Sequence, residues 1–374
     1  MSTEVLAHRV LLGRLIAADA LGLPTTTVDT SAWTDSQWLA LVDTAARGRV
    51  IPALAWAARD GVLVVDESRV APLVDRWRGA MARCVHLESR LIWLHDELAT
   101  AGIELRSLKG PASAHLDHLR PELREFGDID VLVRSSDLPK VFDILRADGF
   151  RRRYPEPRAG FDRRYGKSIT WVGDIEFDVH RTIAEGPVGH RIPVDELWAV
   201  RSPFLVGSTE IDALDREHRF LHACLHAELA PPPARLATVG DLVRLLPTID
   251  IGEVRERAAG WGVEALLDSA VDTVLRATVW PETLDPAWST QVAPSIVDAG
   301  LIAAHRDPDS SWAVRAALSV TTLAGWRERT EYLRDLSLPT KRYVSARHSS
   351  RRDRVRHFLH TVRREVGMRR SAKP

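Results

Sequence analysis

The chain has 374 residues, 45% hydrophobic and 27% charged, with 51 basic residues balancing 51 acidic ones; this is the ordinary balance of a protein that buries a large core in two or three domains. Its two cysteines, Cys84 and Cys224, exclude a disulfide framework and a cysteine zinc cluster and fit a reducing cytoplasm. No basic-then-apolar leader opens the sequence and no run of about 18 apolar residues follows, which disfavours secretion and a membrane span.

In chain order, residues 3–22 and 35–60 carry helical periodicity on either side of the Pro24-Thr25-Thr26-Thr27 turn, and 66–101 reads as one long helix ended by Gly102. This gives a helical cap over 1–101. A core is expected over 102–205. It opens with a short apolar strand from Ile103 to Leu108, and Lys109-Gly110-Pro111 then turns the chain into a helix through His118. A strand over 129–133 leads to a helix over 137–148 that ends at Asp148-Gly149. Ser168 to Trp171 pairs with Ile175 to His180 across Val172-Gly173-Asp174. The expected architecture is α+β, a small mixed sheet backed by two helices and flanked by helical regions at both ends. Beyond Pro193 helices are expected near 193–200, 215–229, 238–246, 251–279 with one break, and 308–336, with Pro231-Pro232-Pro233 a rigid connector. The C-terminal helical domain is set at 206–340 and a basic tail at 341–374.

The chemistry-bearing residues cluster in the core. In Gly127-Asp128-Ile129-Asp130-Val131-Leu132-Val133 the two acids lie on one face of a strand, about 6.6 Å apart along the backbone, while Ile129, Val131 and Val133 point into a core. In Ile175-Glu176-Phe177-Asp178-Val179-His180 the polar residues again alternate with apolar ones. Carboxylates on neighbouring strands repel unless a cation sits between them. Mg²⁺, with Mn²⁺ as the alternative, suits hard oxygen ligands and leaves positions for water and substrate phosphates. Three carboxylates on two strands after a glycine turn are what two-metal phosphoryl or nucleotidyl transfer requires. A lone Asp-x-Asp is more often a solvated strand edge, so the weight lies on the ordered set.

That set resembles a bacterial family of uncharacterised nucleotidyltransferases in the DNA polymerase beta superfamily. The resemblance is carried by Leu108-Lys109-Gly110, Leu119-Arg120-Pro121-Glu122-Leu123-Arg124, Gly127-Asp128-Ile129-Asp130 and Phe177-Asp178-Val179-His180. Leu221-His222-Ala223-Cys224-Leu225-His226 and Val239-Gly240-Asp241-Leu242 extend it, over about residues 35–250. One departure is the glycine turn, eighteen positions before Asp128 rather than about a dozen. The resemblance implies transfer of a nucleoside monophosphate from a nucleoside triphosphate to an acceptor hydroxyl, with release of pyrophosphate. Asp128 and Asp130 would hold the ion that grips the triphosphate and Asp178 a second one near the acceptor. Gly110 would let backbone N–H groups approach phosphate, with Gly127 closing the turn before the acids. Lys109 is a candidate phosphate partner in a chain with only five lysines. Arg124 and Lys167 are weaker ones. His180 orients Asp178 or touches substrate, and His222 and His226 are expected to pack at a domain interface rather than bind zinc.

Protein, RNA, sugar and small-molecule acceptors all fit such a core. Two other classes stand beside it: a metal-dependent phosphohydrolase built on His86 and His95-Asp96, and a non-catalytic binding module on the same fold. His86 and His95 fall on opposite faces of one helix, nine residues at about 100° each, which argues against the first. From Lys341 to Pro374 twelve basic residues stand against two acidic ones, a net +10 that leaves −10 on the body. Such a tail either docks on the body through Phe358, Leu359 and Val362 or contacts a polyanion.

Overall fold

A computed structural model describes residues 2–22, 27–278, 288, 292–306 and 318–347. It is α+β: a seven-stranded mixed sheet with helices packed on both faces. Among the described residues no helix is long and apolar enough to cross a membrane.

The N-terminal helices begin and end where the sequence supplies caps. Helix α1 (Thr3–Leu21) starts on Ser2, whose hydroxyl accepts the Val5 N–H, and stops at Gly22 in the left-handed region, φ 62°. The expected single helix over 35–60 is two: α2 (Asp35–Gly48), opened by a Thr34/Gln37 capping box, and α3 (Ile51–Arg59). Pro52 forces the break, because inside a continuous helix it would lack an N–H and clash with the preceding turn. Arg49 takes the left-handed conformation at the joint, φ 55°. Two short strands, β1 (Val28–Asp29) and β2 (Leu63–Val64), pair in parallel beside these helices. Helix α4 (Glu67–Thr100) then runs 34 residues and buries Ala80, Cys84, Leu87, Leu91, Leu94 and Leu98 along one stripe.

The sheet order is β5-β6-β7-β4-β3-β9-β8. Its strands are β3 (Leu105–Ser107), β4 (Ile129–Val133), β5 (Arg151–Arg152), β6 (Ser168–Val172), β7 (Glu176–His180), β8 (Arg201–Val206) and β9 (Thr209–Leu214). Between them lie α5 (Pro111–Asp117), α6 (Leu138–Ala147), α7 (Phe161–Tyr165), α8 (Val188–Arg191) and α9 (Glu196–Ala199). The β6/β7 hairpin falls where the sequence places it. The sheet is larger than expected, because β8 and β9 form a hairpin on its far edge and straddle position 205/206. Gly207, at φ 60°, makes its two-residue turn, and Phe204, Val206, Ile211 and Ala213 alternate inward.

The two faces of the sheet differ. Ile129, Val131, Val133, Phe177 and Val179 pack against α4 and α6 in a dry core with Leu91, Leu94, Leu138 and Val141. Leu132 faces the opposite side and joins a second core with α10 (Arg216–Leu229), α11 (Leu236–Leu245), α12 (Ile251–Trp261) and α13 (Glu264–Thr278). The rest of the opposite face is polar around Asp130. Helix α14 (Ile296–Arg306) packs on α10 and α13. Helices over Trp326–Ser337 and Lys341–Arg347 close the described chain. The first of these replaces the latter part of the helix expected over 308–336, of which 308–317 lie outside the described residues. Phe358, Leu359 and Val362 lie outside them too, whereas Tyr343 and Val344 at the start of the tail are buried, and the Thr340 N–H donates to the Pro157 carbonyl at 2.9 Å.

Helix α1 packs on α11 and α13, tying the first residues of the chain to its C-terminal half. The contact is close: a Cβ on Gly13 would lie 2.0 Å from the Ala277 carbonyl oxygen. Gly13→Ala therefore forces the helices apart and is expected to lower stability by about 1–3 kcal/mol, read as a reduced urea midpoint. A midpoint at or above the wild-type value would show that α1 is not held this way.

Candidate functional site

Strands β4 and β7 lie side by side in parallel, with Asp130 opposite Asp178 and Leu132 opposite His180. Alternation sends Asp130, Asp178 and His180 to one face, while their apolar neighbours fill the core behind. One ligand atom from each of these three side chains lies within 4.8 Å of the other two. Asp130 is only 5% exposed, and a carboxylate so placed needs compensation. Lys109 supplies it with Nζ at 3.1 Å from Oδ1, and His180 Nε2 stands 2.8 Å from the same oxygen. Burial alone would raise the Asp130 pKa. The Lys109 charge, the His180 hydrogen bond and the charges of His180 and Lys167 outweigh it and hold the carboxyl well below its ordinary range. For His180 burial is the largest influence; it lowers the imidazole against the pull of Asp130.

The other groups are brought in by elements distant in sequence. The Leu108 N–H donates to the Asp130 carbonyl at 3.0 Å, which lays the end of β3 along β4 and sets Lys109 over Asp130. Gly110 follows at φ 44°, a conformation that disfavours a side chain, and turns the chain into α5. Thr170, on β6 opposite Asp178, donates its hydroxyl to Asp178 Oδ1 at 2.6 Å. Lys167, just before β6, is lowered by burial and then by the like charge of Lys109, while Glu185, Asp130 and Asp178 pull it back. Of the chain's five lysines, Lys109 thus meets Asp130 directly, and Lys167 feels the charges of both acids.

From the opposite side α10 presents His222 and His226. The His222 ring meets His180 edge-on at 6.4 Å. Burial, followed by the Lys109 charge, keeps His222 well below its ordinary pKa, and for half-buried His226 the Lys109 charge leads. A cleft of about 250 Å³ adjoins the Asp178 side, lined by Lys167, Thr170, Tyr165, Glu185, His190 and Tyr332 among others.

Two expected participants are placed elsewhere. Asp128 is not in the close trio; its Oδ1 bonds Arg49 Nη1 at 3.1 Å, and its side chain is 31% exposed. Gly127 gives that arginine room, since a Cβ there would meet Arg49 Nη2 at 3.0 Å. Arg124 is buried and committed to Asp241, its Nε and Nη2 each 2.7 Å from a carboxylate oxygen. His118 Nε2 lies 3.2 Å from the same carboxylate. Arg124 thus clamps the approach to β4 onto α11 and does not face the acids as a phosphate partner. Arg49 and Thr170 were missed. No local motif marks Arg49, which reaches the site only because of the helix break at Pro52, and Thr170 is marked only by its register opposite Asp178.

The family described as uncharacterised nucleotidyltransferase matches residues 34–274, more than half of the chain. No curated protein matches it.

The buried clamp generates two expectations. Arg124→Leu leaves Asp241 charged with only the His118 ring beside it and should cost about 3–5 kcal/mol, whereas the double replacement with Asp241→Leu should cost much less; urea unfolding of wild type and the two variants decides this, and equal losses would refute the clamp. His118, lowered to about 4 chiefly by burial, is neutral in the folded protein but takes a proton below its ordinary 6.5 when unfolded. Its contribution is full above pH 6.5 and falls as pH drops toward 4, by about 3 kcal/mol. His118→Gln should flatten that slope in urea titrations between pH 7 and 4.5, and an unchanged slope would exclude His118 as its source.

Proposed function

The chain belongs to the uncharacterised nucleotidyltransferase family, and from that premise we propose that it transfers a nucleoside monophosphate from a nucleoside triphosphate to an acceptor hydroxyl, releasing pyrophosphate. One observation carries this reading: Asp130 and Asp178 are register partners on adjacent parallel strands, with Lys109 bonded to Asp130.

Asp130 and Asp178 are the carboxylates that would hold a divalent cation, and the spacing of their oxygens and His180 fits a single ion. Asp128, two residues before Asp130, would join them only by giving up its bond to Arg49. A divalent ion such as Mg²⁺ or Mn²⁺ held there would supply charge neutralisation for the triphosphate and make the acceptor hydroxyl more acidic.

The protein's own groups do the remaining work. Lys109 and Lys167 bind phosphate oxygens as point charges, and their like-charge repulsion is relieved when an anion sits between them. The Gly110 turn lets the triphosphate lie close to the backbone. Asp178, fixed in orientation by Thr170, receives the acceptor's proton. As the acceptor oxygen bonds to the α-phosphorus, the bridging P–O bond to the β-phosphate breaks and pyrophosphate leaves. The cleft beside Thr170 and Lys167 lies on the Asp178 side, opposite the Lys109-Gly110 turn, and is the acceptor's place.

Glu176 shares a strand face with Asp178 but pairs with Arg153, Oε1 to Nη1 at 3.1 Å. Asp130→Asn and Asp178→Asn should each lower transfer of label from an α-³²P nucleoside triphosphate by about a thousandfold or more, with circular dichroism unchanged, while Glu176→Gln loses less than about tenfold. Host extract supplies the acceptor in this assay. Wild-type turnover in Asp130→Asn would end the assignment.

A further inference from the structure

We propose that the acceptor is the 3′ end of a single-stranded nucleic acid, its last base stacked in the cleft beside Thr170 and its 3′ hydroxyl turned toward Asp178. The inference rests on the reading above that Asp130 and Asp178 carry nucleotidyl transfer, and it names the acceptor class which that reading leaves open.

The observation that carries it is where the tyrosines lie. The chain has only four, against twelve tryptophans and eight phenylalanines. All four, Tyr154, Tyr165, Tyr332 and Tyr343, line the cleft of about 250 Å³ that reaches Thr170. Two come from the segment before β6 and two from the last two described helices, so distant parts of the sequence deliver them to one place. Phenylalanine and tryptophan, by contrast, fill dry cores, as Phe177 and Trp261 do. A tyrosine offers a flat apolar face with a polar edge, which suits the wall of a wet cleft that grips a planar group.

The wall is rigid and its rim is open. The Tyr165 and Tyr332 rings meet edge-on at 5.1 Å, and Phe161 stacks against Tyr332 at 5.8 Å. Both tyrosines are buried, whereas Tyr154 is 43% exposed. A fixed aromatic wall with one exposed ring takes a base by stacking, whichever base it is.

Charge selects a nucleic acid from among planar ligands. Lys167 stands in the same wall. Tyr343 belongs to the helix Lys341–Arg347, which opens the segment of net +10, and the Thr340 N–H just before it bonds the carbonyl of Pro157, another cleft residue. The basic segment therefore leaves the body at the cleft, and Lys341 and Arg342 are exposed there. A small planar acceptor would carry no charge outside the cleft for these residues to meet. A strand does, because its phosphates continue outward from the terminal nucleotide. In the transfer step the terminal 3′ oxygen bonds to the α-phosphorus of the nucleoside triphosphate and gives its proton to Asp178. The α–β phosphate bond breaks and pyrophosphate leaves, so the strand grows by one nucleotide.

The full chain is given an α-³²P nucleoside triphosphate with Mg²⁺ and either a short oligoribonucleotide or an oligodeoxyribonucleotide, each with a free 3′ hydroxyl or a 3′ phosphate. One or both free-ended strands should gain label and neither blocked strand should, the two sugars separating an RNA from a DNA acceptor. In host extract the labelled product should be removed by nuclease and survive protease. Tyr154→Ala should raise KM for the strand about tenfold, with Tyr154→Phe within about twofold of wild type, since phenylalanine keeps the stacking face. Lys341→Glu with Arg342→Glu should weaken strand use and flatten its salt dependence. A KM unchanged in Tyr154→Ala, or raised as much in Tyr154→Phe, would overturn the stacking assignment and the inference with it. Label that enters protein or a small solute from extract while every oligonucleotide stays unlabelled would overturn the inference and leave nucleotidyl transfer standing. If wild type labels nothing from either source, both readings fall.

Discussion

A carboxylate in the central strand of a sheet, shielded on both faces, dictates much of what surrounds it. Taking Asp130 out of water costs several kcal/mol unless charges and hydrogen bonds replace its hydration, and each replacement comes from a different part of the chain. The lysine at the end of β3 provides the charge, and the histidine at the end of β7 provides a ring nitrogen. Neither can be withdrawn without exposing the acid's full desolvation cost. The turn at Gly110, the parallel pairing of β4 with β7, and the seating of α10 over His180 are the geometric conditions under which those partners reach it.

The concentration of positive charge around so few acids is the other side of this constraint. Besides burial, the charge of Lys109 lowers Lys167, and the charges of both lysines lower His222 and His226. Such a field is costly in a site meant only to be stable, because like charges held together gain nothing from one another. It suits a polyanion, whose phosphates would sit among the lysines and remove the repulsion.

The helical layers hold these strands in register from outside. Arg124 and Asp241 fasten the approach to β4 onto α11, and His118 shares the clamp. Helix α1 in turn packs on α11 and α13. Residues from the first and last thirds of the described chain therefore brace the two central strands.

What the sequence determined by itself was local. Alternation in 129–133 and 176–180 fixed both strands and the face each acid takes, because a period of two admits only one assignment once Ile129, Val131, Phe177 and Val179 must be buried. The Lys109-Gly110-Pro111 turn, the Gly22 and Gly102 helix ends and the β6/β7 hairpin were legible for the same reason, each written within a few neighbouring residues. Tertiary structure alone decided which charges meet. Arg124 looked like a free cation and is bound to a residue 117 positions away. Asp128 looked equivalent to Asp130 and is held by Arg49, 79 positions away. His180 stands against Asp130, 50 positions away, rather than simply orienting the neighbouring Asp178. A side chain's partner across the sheet depends on strand order and helix docking, which follow from the burial of the whole apolar surface and leave no mark in the residues adjacent to it.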